Sequence, residues 1–355
     1  MKLAIFLPNW IGDVVMATPA VRALREKFVD ARYIGVMRSY VASVVEGSTW
    51  FDDTIFLDPH GPWHHRWWAV SRQLRQQNVD LAVLFPNSFR SALVAWLGGC
   101  RQRLGYARNG RTWLLTDRLY SLRDAHGRFL PTPVIEDYNR LAAYAGCPQP
   151  TYRMELFTTP RDEELAHALW QRWRLDRFPE IVCLNPGAAF GSAKYWPSEY
   201  FAILAQELVD RRGSGVLLLC GPSERDMVRQ IARLANRPDV FTLADEPVSI
   251  GLTKACVRRC DLLITTDSGP RHFAAAFNRP VITLFGPTHI AWTETYHPKA
   301  IHLQKKVHCG PCQLRVCPLD HRCMQWLKPA AVFSAVTDLM SRFPPQTFAQ
   351  RTKAS

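Results

Sequence analysis

A carboxylate near the start of the chain stands where it could take part in proton transfer. The segment "PNWIGDVVM" places Asp13 one residue after a glycine and behind the apolar run of residues 3–7. From Val14 onward apolar residues recur at helical spacing, which predicts a strand, a turn and a helix. Asp13 would then lie at the N-terminus of this helix, either as its N-cap or as a carboxylate that faces a ligand above the first strand.

The segment "LITTDSGPRHFAAAF" predicts a buried strand that turns into a helix of small residues. Asp267 or Ser268 can cap that helix, and Gly269 lets a ligand approach the backbone closely. Free N–H groups and the helix dipole form an anion site there, which would suit a diphosphate. Asp267 could instead accept hydrogen bonds from sugar hydroxyls. Because His272 lies one turn further on, we favour ligand binding over a plain capped helix.

A second loop, "NPGAAFGSAKYWP", carries Lys194 among glycine and alanine residues before a helix that starts near Pro197. A lysine in such a loop is either a solvated side chain or a contact for a leaving phosphate. No Gly-x-Gly-x-x-Gly follows the first strand and no Walker-type Gly-Lys-Ser/Thr occurs in the sequence. These absences argue against a dinucleotide-dependent dehydrogenase and against a P-loop nucleotidase.

The segment "HCGPCQLRVCPLDHRC" concentrates thiols and imidazoles near the end of the chain. Its spacing, C-x2-C-x4-C-x5-C, could bind zinc through four thiolates or through three thiolates and one imidazole. The second pair lacks the tight C-x2-C spacing, so we favour reduced thiols or a local disulfide and keep a structural metal as the alternative. The four cysteines are Cys309, Cys312, Cys317 and Cys323.

The net charge of +13 is unevenly distributed along the chain. Residues 66–128 contain eleven arginines, no lysine and three acids. Arginine favours bidentate contacts with phosphate and carboxylate. We interpret the block as a face for an anionic partner, which composition alone leaves open as nucleic acid, anionic lipid or acidic glycolipid.

The first segment is too interrupted to be a secretory signal. Pro8-Asn9 follows only five apolar residues, whereas a signal needs an apolar core of roughly 7–15. No apolar run approaches the ~18 residues of a membrane-spanning helix. We therefore expect a cytoplasmic protein that is soluble or bound at a membrane surface, with its ten cysteines present as thiols or ligands.

The elements that must position these residues alternate between strand and helix in both halves of the chain. At 355 residues two domains are expected, and the alternation predicts parallel doubly wound sheets. In such sheets ligands bind beyond the carboxyl ends of the strands, where the polar loops above fall. We therefore predict two α/β domains with a ligand-binding cleft between them. The predicted strands are residues 3–7, 32–37, 54–57 and 80–86, then 181–186, 215–220, 240–243, 262–267 and 281–286.

The predicted boundaries follow helix signals. Thr159 is expected to cap a helix with Pro160 in its first turn and Asp162 complementing its dipole, ending at Arg177-Phe178-Pro179. The organisation is therefore a first domain over 1–158, a linker helix over 159–178, a second domain over 179–328 and a terminal helix and tail over 329–355.

Taken in order, "PNWIGDVVMATPAVRALR", "NPGAAFGSAKYWP", "TTDSGPRHFAAAF", "LFGPT" and "CGPC…CPLDHRCM" resemble the ADP-heptose:lipopolysaccharide heptosyltransferases. The Trp-Ile-Gly-Asp opening and the cysteine-rich tail are more similar to heptosyltransferase II than to I. The resemblance spans about residues 1–330. It implies a type-B glycosyltransferase fold of two Rossmann-like domains, the first binding the acceptor and the second the nucleotide sugar.

The resemblance also implies roles for the residues singled out above. Asp13 would be the general base of an inverting transfer, in which a positioned base contributes about 10²–10⁴-fold. In the donor site, Lys194 would contact phosphate, Glu224 would contact ribose and Thr288 would lie near the nucleotide. The heptose-diphosphate would be bound by Asp267, Ser268, Gly269 and His272. The sequence departs from the family at Tyr195, Thr266 and Arg271, which affects details of donor binding more than reaction type.

The expected reaction moves heptose from ADP-L-glycero-D-manno-heptose onto the inner-core heptose of lipopolysaccharide. Catalysis would need no cofactor, because lysine and backbone dipoles can stabilise the departing diphosphate. The expected partner is an acidic glycolipid at the inner face of the cytoplasmic membrane, with peripheral attachment of the protein there. We predict that Arg103, Arg108 and Arg111 in "RLGYARNGR", interpreted as a strand and an exposed turn, meet this acceptor.

Two competing interpretations remain. One is a related glycosyltransferase that uses another sugar nucleotide. The other is a nucleic-acid-binding protein, which the arginine block and the tryptophans Trp63, Trp67 and Trp68 would suit. We do not expect nucleic-acid binding, because it leaves the convergence of polar loops at the strand ends unexplained.

Overall fold

The computed structural model describes residues 1–127 and 129–345, and the chain forms two compact units. The first unit is Met1–Phe157 with Ala291–Thr295, and the second is Thr158–Ile290 with the described chain from Tyr296 to residue 345. Each unit is built on a parallel six-stranded sheet. The predicted class, α/β with two doubly wound sheets, is confirmed.

In the first unit the strands lie in the order β3-β2-β1-β4-β5-β6. All neighbours are parallel, so every connection must cross over, and helices supply most of these crossovers. The strands are β1 (Lys2–Phe6), β2 (Arg32–Met37), β3 (Asp53–Phe56), β4 (Leu81–Leu84), β5 (Gln102–Tyr106) and β6 (Asp117–Leu119). The helices are α1 (Ile11–Lys27), α2 (Ser39–Val45), α3 (Trp67–Gln77), α4 (Phe89–Leu97) and α5 (Val134–Tyr144).

Helices cover the first sheet, which explains why its strands read as uninterrupted apolar runs. Ala4 and Phe6 of β1 pack in one cluster with Leu74 of α3. The alternate residues Leu3 and Ile5 point to the opposite face and are also fully buried. Because both faces of β1 are buried, this strand is fixed in the centre of the unit.

The second unit repeats this plan with the strand order β12-β11-β10-β7-β8-β9. Its strands are β7 (Ile181–Asn185), β8 (Gly215–Leu218), β9 (Val240–Thr242), β10 (Leu262–Thr266), β11 (Val281–Phe285) and β12 (Ala300–Gln304). Its helices are α6 (Pro160–Arg172), α7 (Ser198–Arg212), α8 (Arg225–Ala235), α9 (Ile250–Arg259), α10 (Gly269–Ala276), α11 (Arg322–Gln325) and α12 (Pro329–Arg342).

Helix α6 begins as its sequence predicts. Thr159 Oγ1 accepts a hydrogen bond from the Asp162 N–H at 3.2 Å, and Asp162 Oδ2 accepts one from the Thr159 N–H at 3.0 Å. This reciprocal pair is a capping box, with Pro160 at the first helical position. The helix packs on α9 within the second unit.

Strand β5 falls in the segment "RLGYARNGR", interpreted above as a strand and a turn, whereas two other strands lacked a predicted counterpart and lie at sheet edges. β6 has three residues with Arg118 exposed at its centre, and β12 is half-buried throughout. Neither has the long apolar run that marks a central strand. Across the described residues, we find no helix with the length and apolarity needed to cross a bilayer.

Candidate active site

The strand order of each sheet creates one place where a ligand can sit. In the first unit β1 lies between β2 and β4, so the chain leaves β1 towards one side and later returns on the other. The loops that follow β1 and β4 therefore diverge, which opens a crevice at the carboxyl ends of these strands. Asp13 lies in the first turn of α1, directly after β1.

The second unit has the same arrangement, with β7 between β8 and β10. Lys194 lies in a short 3-10 turn after β7, and Asp267 is the first residue after β10. Lys194 and Asp267 thus flank the switch point of this sheet, the place where successive connections leave in opposite directions. Their side chains are in direct contact there.

Asp13 is not the N-cap of its helix. The capping position is Trp10, whose side chain makes no capping bond, and Asp13 is the third helical residue. Its carboxylate is half-buried near two phenols. Burial raises the pKa of Tyr138 well above its usual value and also raises that of Tyr40, and in both cases the charge of Asp13 adds to the rise. The N-terminal end of a helix also stabilises a negative charge placed there.

The loop that leads to Asp13 is held from β2 and α2. Arg38 Nε donates to Asn9 Oδ1 at 2.9 Å, and the Tyr40 hydroxyl donates to the carbonyl of the same asparagine. These bonds fix the backbone between β1 and α1. Asp13 therefore lies on a helix whose preceding loop is held in place by Arg38 and Tyr40.

The prediction that Arg111 is exposed is wrong. Its side chain is fully buried. The guanidinium donates to the carbonyl of Tyr106 at 2.9 Å, to Asn87 Oδ1 at 3.1 Å and to the carbonyl of Pro86. Burial and the charge of Arg108 lower its pKa to about 10. Arg111 thus ties the end of β5 to the loop that follows β4, the strand on the far side of the switch point.

The other two arginines of this segment lie apart from each other. Arg103 is half-buried near the amino end of β5, where it donates to the carbonyls of Leu114 at 2.7 Å and Cys100 at 2.5 Å. Arg108 follows the carboxyl end of β5, half-exposed, with its guanidinium 4.2 Å from the ring centroid of Phe129. Of the three arginines, Arg108 is the one that is both partly exposed and located at the ligand-binding edge of the sheet. Arg128, the last arginine of the block, lies outside the described residues.

A buried charge cluster surrounds Asp267 in the second unit. Lys194 Nζ donates to Asp267 Oδ2 at 2.6 Å and to the Asp267 carbonyl at 2.7 Å. Thr288 Oγ1 donates to Oδ2 at 2.7 Å, and Arg271 Nη1 lies 3.5 Å from Oδ1. The interpretation of Lys194 as a solvated loop residue is therefore wrong, since it is buried and paired.

Electrostatics keep this cluster charged. Burial acts to raise the pKa of Asp267, but Lys194, Arg271 and the hydrogen bond from Thr288 outweigh it and lower the pKa to about 2. The carboxylate is thus ionised at neutral pH, and its stabilising effect is lost only as pH falls from roughly 3.9, the usual value, towards 2. One carboxylate against two cations leaves a net positive charge, which suits an anionic ligand.

Glu224 lies at the neighbouring strand end of the same sheet. Its Oε2 accepts a hydrogen bond from the Gly221 N–H at 2.8 Å. A Cβ at Gly187 would come within 1.8 Å of Glu224 Oε1, so a larger residue there would displace this carboxylate from its position. Thr266 Oγ1 donates to the Gly187 carbonyl at 2.7 Å and holds that loop from β10.

The start of α10 lies beside the cluster. Ser268 occupies the N-cap position without a side-chain cap, and its hydroxyl is instead hydrogen-bonded by Asn185 Nδ2 at 3.0 Å. Gly269 is the first helical residue. His272 is buried, and burial with the charge of Arg271 lowers its pKa well below the usual value, so its imidazole is neutral.

Sequence reasoning missed two supporting residues. Asn185, the last residue of β7, binds Thr265 Oγ1 and Ser268 Oγ, both at 3.0 Å, and joins the two strands at the switch point. The sequence could have indicated Asn185, because it is a polar residue at the end of an apolar run. His302 lies on β12, with its Nε2 3.2 Å from Arg271 Nη2. No local sequence pattern predicts that contact.

The cysteine-rich segment supports the Lys194 loop. The Ala193 N–H donates to the Arg315 carbonyl at 3.0 Å, the His321 ring lies 2.7 Å from the Ala193 carbonyl, and the Gln313 N–H donates to the Pro287 carbonyl at 2.8 Å. A small cavity beside these contacts is lined by all four cysteines of the segment, which are free thiols. In the part of the chain that the structure describes, no three His, Cys, Asp or Glu side chains are placed to share a metal ion. A structural metal here stays a prediction.

Similarity to known proteins agrees with this geometry. Glycosyltransferase family 9 (heptosyltransferase) matches residues 67–322. Lipooligosaccharide heptosyltransferase 2 of Campylobacter jejuni is 27% identical over 347 residues, which cover 96% of this chain and 98% of that protein. Lipopolysaccharide heptosyltransferase 2 of Escherichia coli K12 is 26% identical over 308 residues, covering 84% and 87% of the two chains.

Solved structures share the fold over nearly the whole chain. The Escherichia coli ADP-heptose lps heptosyltransferase II superposes with a TM-score of 0.78 at 24% identity, covering 96% of this chain and 99% of that one. Escherichia coli heptosyltransferase WaaC with ADP-2-deoxy-2-fluoro heptose gives a TM-score of 0.70 at 18% identity, covering 95% and 99%. The predicted two-Rossmann, type-B glycosyltransferase fold is confirmed.

The buried position of Arg111 predicts a structural effect. Arg111→Gln should lower the free energy of unfolding by about 2–4 kcal/mol, because several buried carbonyls lose their donor. Arg108→Gln, the matched control, should change it by less than about 1 kcal/mol. Urea unfolding followed by circular dichroism measures both, and equal effects of the two substitutions would contradict this role for Arg111.

Proposed function

We propose, from the premise that the chain belongs to glycosyltransferase family 9, the heptosyltransferases, that it moves heptose from ADP-L-glycero-D-manno-heptose onto the inner-core heptose of lipopolysaccharide. This is the activity of a type II heptosyltransferase. The observation that carries the proposal is the placement of Asp13 and of the Lys194–Asp267 pair at the switch points of the two sheets. Full-length similarity to relatives named heptosyltransferase 2 supports it.

The first unit would supply the base. The attacking hydroxyl of the acceptor heptose transfers its proton to the Asp13 carboxylate as its oxygen bonds to the anomeric carbon of the donor. The bond from that carbon to the diphosphate oxygen breaks in the same displacement, and ADP leaves. One displacement at the anomeric carbon inverts its configuration. The half-buried carboxylate at the start of α1 is suited to this role.

The second unit would bind the donor and stabilise its leaving group. Lys194 and Arg271 place two cations around one carboxylate, so the cluster can compensate charge on the departing diphosphate. The uncapped N-terminus of α10, at Ser268 and Gly269, adds backbone N–H groups. We assign the ribose contact to Glu224, which lies at the neighbouring strand end.

Two further donor contacts complete this assignment. His272, neutral and buried one turn into α10, would contact the heptose-diphosphate. Thr288 would lie near the nucleotide while its hydroxyl orients Asp267. Since side chains and backbone dipoles supply the positive charge, we expect catalysis to proceed without a metal ion.

Acceptor recognition is assigned to the first unit. Arg108 would contact acidic groups of the glycolipid, because it is the half-exposed arginine beyond the carboxyl end of β5. The buried Arg111 would contribute indirectly, by holding the loop after β4 in place. Arg103 lies near the amino end of β5, away from the ligand-binding edge, so we expect it to contribute less to acceptor binding. We further propose that the protein works in the cytoplasm, attached peripherally to the inner face of the membrane that carries the acceptor, and that it binds no nucleic acid.

The acceptor preference is the direct test of the proposal. ADP release should require ADP-heptose and a lipid acceptor that already carries one heptose, and acceptors with no heptose or with two should give background rates. The assay is run with and without EDTA, and turnover should persist in EDTA. Transfer from another sugar nucleotide at a comparable rate, or a preference for the acceptor without heptose, would refute the assignment.

Removal of the proposed base should affect chemistry and leave donor binding intact. Asp13→Asn should lower turnover by about 10²-fold or more, while the affinity for ADP-heptose in calorimetry is retained. Glu26→Gln is the matched control, since Glu26 is an exposed carboxylate on the same helix. If Asp13→Asn turned over at nearly the wild-type rate, Asp13 would have no place in the mechanism.

The donor site makes a complementary prediction. Lys194→Met and Asp267→Asn should each weaken donor use by about tenfold or more, because the first removes a cation and the second removes the carboxylate that positions Lys194 and Arg271. Lys305→Met, an exposed lysine just after β12, should have no effect. Thermal unfolding checks that the variants fold. Unchanged ADP-heptose affinity together with unchanged turnover in folded variants would show that the donor binds elsewhere.

A further inference from the structure

Three aromatic side chains form an exposed cluster on the first unit. Phe89, Trp96 and Trp113 are 40%, 46% and 61% exposed. The ring centroids of Phe89 and Trp113 lie 6.1 Å apart, as do those of Trp96 and Trp113. Single exposed aromatics are common on protein surfaces, but a contiguous apolar patch marks an interaction site.

The cluster is mounted on rigid elements. Phe89 and Trp96 are seven residues apart on α4 and therefore share one helical face, while Ala92 and Ala95 are buried against the sheet. Ser88 caps this helix by accepting a hydrogen bond from the Ser91 N–H at 3.2 Å. The rings are thus presented to solvent by a well-formed helix rather than by a loose loop.

Trp113 is held in place in the same way. It lies in a 3-10 turn over Thr112–Leu114, in which Leu114 is buried. Arg111, directly before this turn, is fixed by its bonds to Tyr106 at the end of β5 and to Asn87 in the loop after β4. The core therefore anchors Arg111 and Leu114 on either side of the turn, and the indole of Trp113 is left outside.

The segments that carry the rings are basic. Arg90 follows Phe89, and Arg118 lies five residues after Trp113; both are exposed. Among the described residues, neither guanidinium forms an ion pair with a carboxylate. Further exposed apolar side chains follow β6, namely Tyr120, Leu122, Phe129 and Leu130. Exposed aromatic rings on segments that also carry exposed arginines without a carboxylate partner are the combination that favours the interface of an anionic bilayer.

We propose that this aromatic surface, Phe89, Trp96 and Trp113 with Arg90 and Arg118, docks the protein onto anionic phospholipid. The rings enter the headgroup region and the arginines contact lipid phosphates. A second copy of the chain is a poorer occupant, because a two-fold interface uses the same patch twice and would bring two basic surfaces together. The inference deepens the proposed function, which requires access to a lipid-linked acceptor, but its test uses neither donor nor acceptor.

The test measures sedimentation of the full chain with vesicles of phosphatidylethanolamine containing about 30% phosphatidylglycerol. Wild-type protein should bind these vesicles and bind neutral phosphatidylcholine vesicles much less. The Trp96→Ala/Trp113→Ala double variant should lose about tenfold or more in apparent partitioning. Arg90→Gln/Arg118→Gln should weaken binding to the anionic vesicles, and added salt should reduce the difference. Cooperative thermal unfolding establishes that each variant is folded.

The matched control is Trp63→Ala/Trp68→Ala, which removes two other exposed, contacting tryptophans of the same unit, with ring centroids 6.0 Å apart. It should retain wild-type partitioning. Equal loss in this control would overturn the location of the surface. Absence of vesicle binding by wild-type protein would overturn the proposal, and so would a light-scattering result in which the Trp96/Trp113 substitutions abolish self-association without changing partitioning.

Discussion

The order of the parallel strands is the constraint on which the site depends. In both units the first strand of the sheet lies in the middle, so the chain must build outward on one side and then on the other. This order forces neighbouring loops apart at the carboxyl ends of two strands, and polar groups gather at that edge of each sheet. Asp13 in one unit, and Lys194 with Asp267 in the other, occupy that position.

The second constraint is the cost of burying charge. Asp267 remains ionised in the interior because two cations and a hydroxyl group surround it. Such a pair adds little stability by itself, but removal of one partner leaves a buried charge uncompensated. The loops that supply the partners are in turn braced by the cysteine-rich segment through backbone bonds at Ala193 and Pro287. This support holds the charges in one geometry before any ligand arrives.

The sequence could predict the features that depend on local pattern. Apolar runs locate the central strands, and the polar residue after each run locates the edge where a ligand binds, which is how Asp13, Lys194 and Asp267 were found. Arg111 was misplaced because its burial depends on carbonyls of residues 86–88, more than twenty positions away. The contacts of Thr288 with Asp267 and of His302 with Arg271 join separate strands in the same way. The short edge strands β6 and β12 carry no strong periodic signal.

In the proposed reaction, a carboxylate of the first unit would remove a proton and a cationic cluster of the second unit would stabilise the leaving diphosphate, in a single displacement. The most direct measurement is the anomeric configuration of the transferred heptose, determined by NMR on product made from ADP-heptose of known configuration. We expect the transferred heptose to have the inverted anomeric configuration relative to the donor. Retention would rule out a single displacement, because it requires a second displacement and a different role for Asp13.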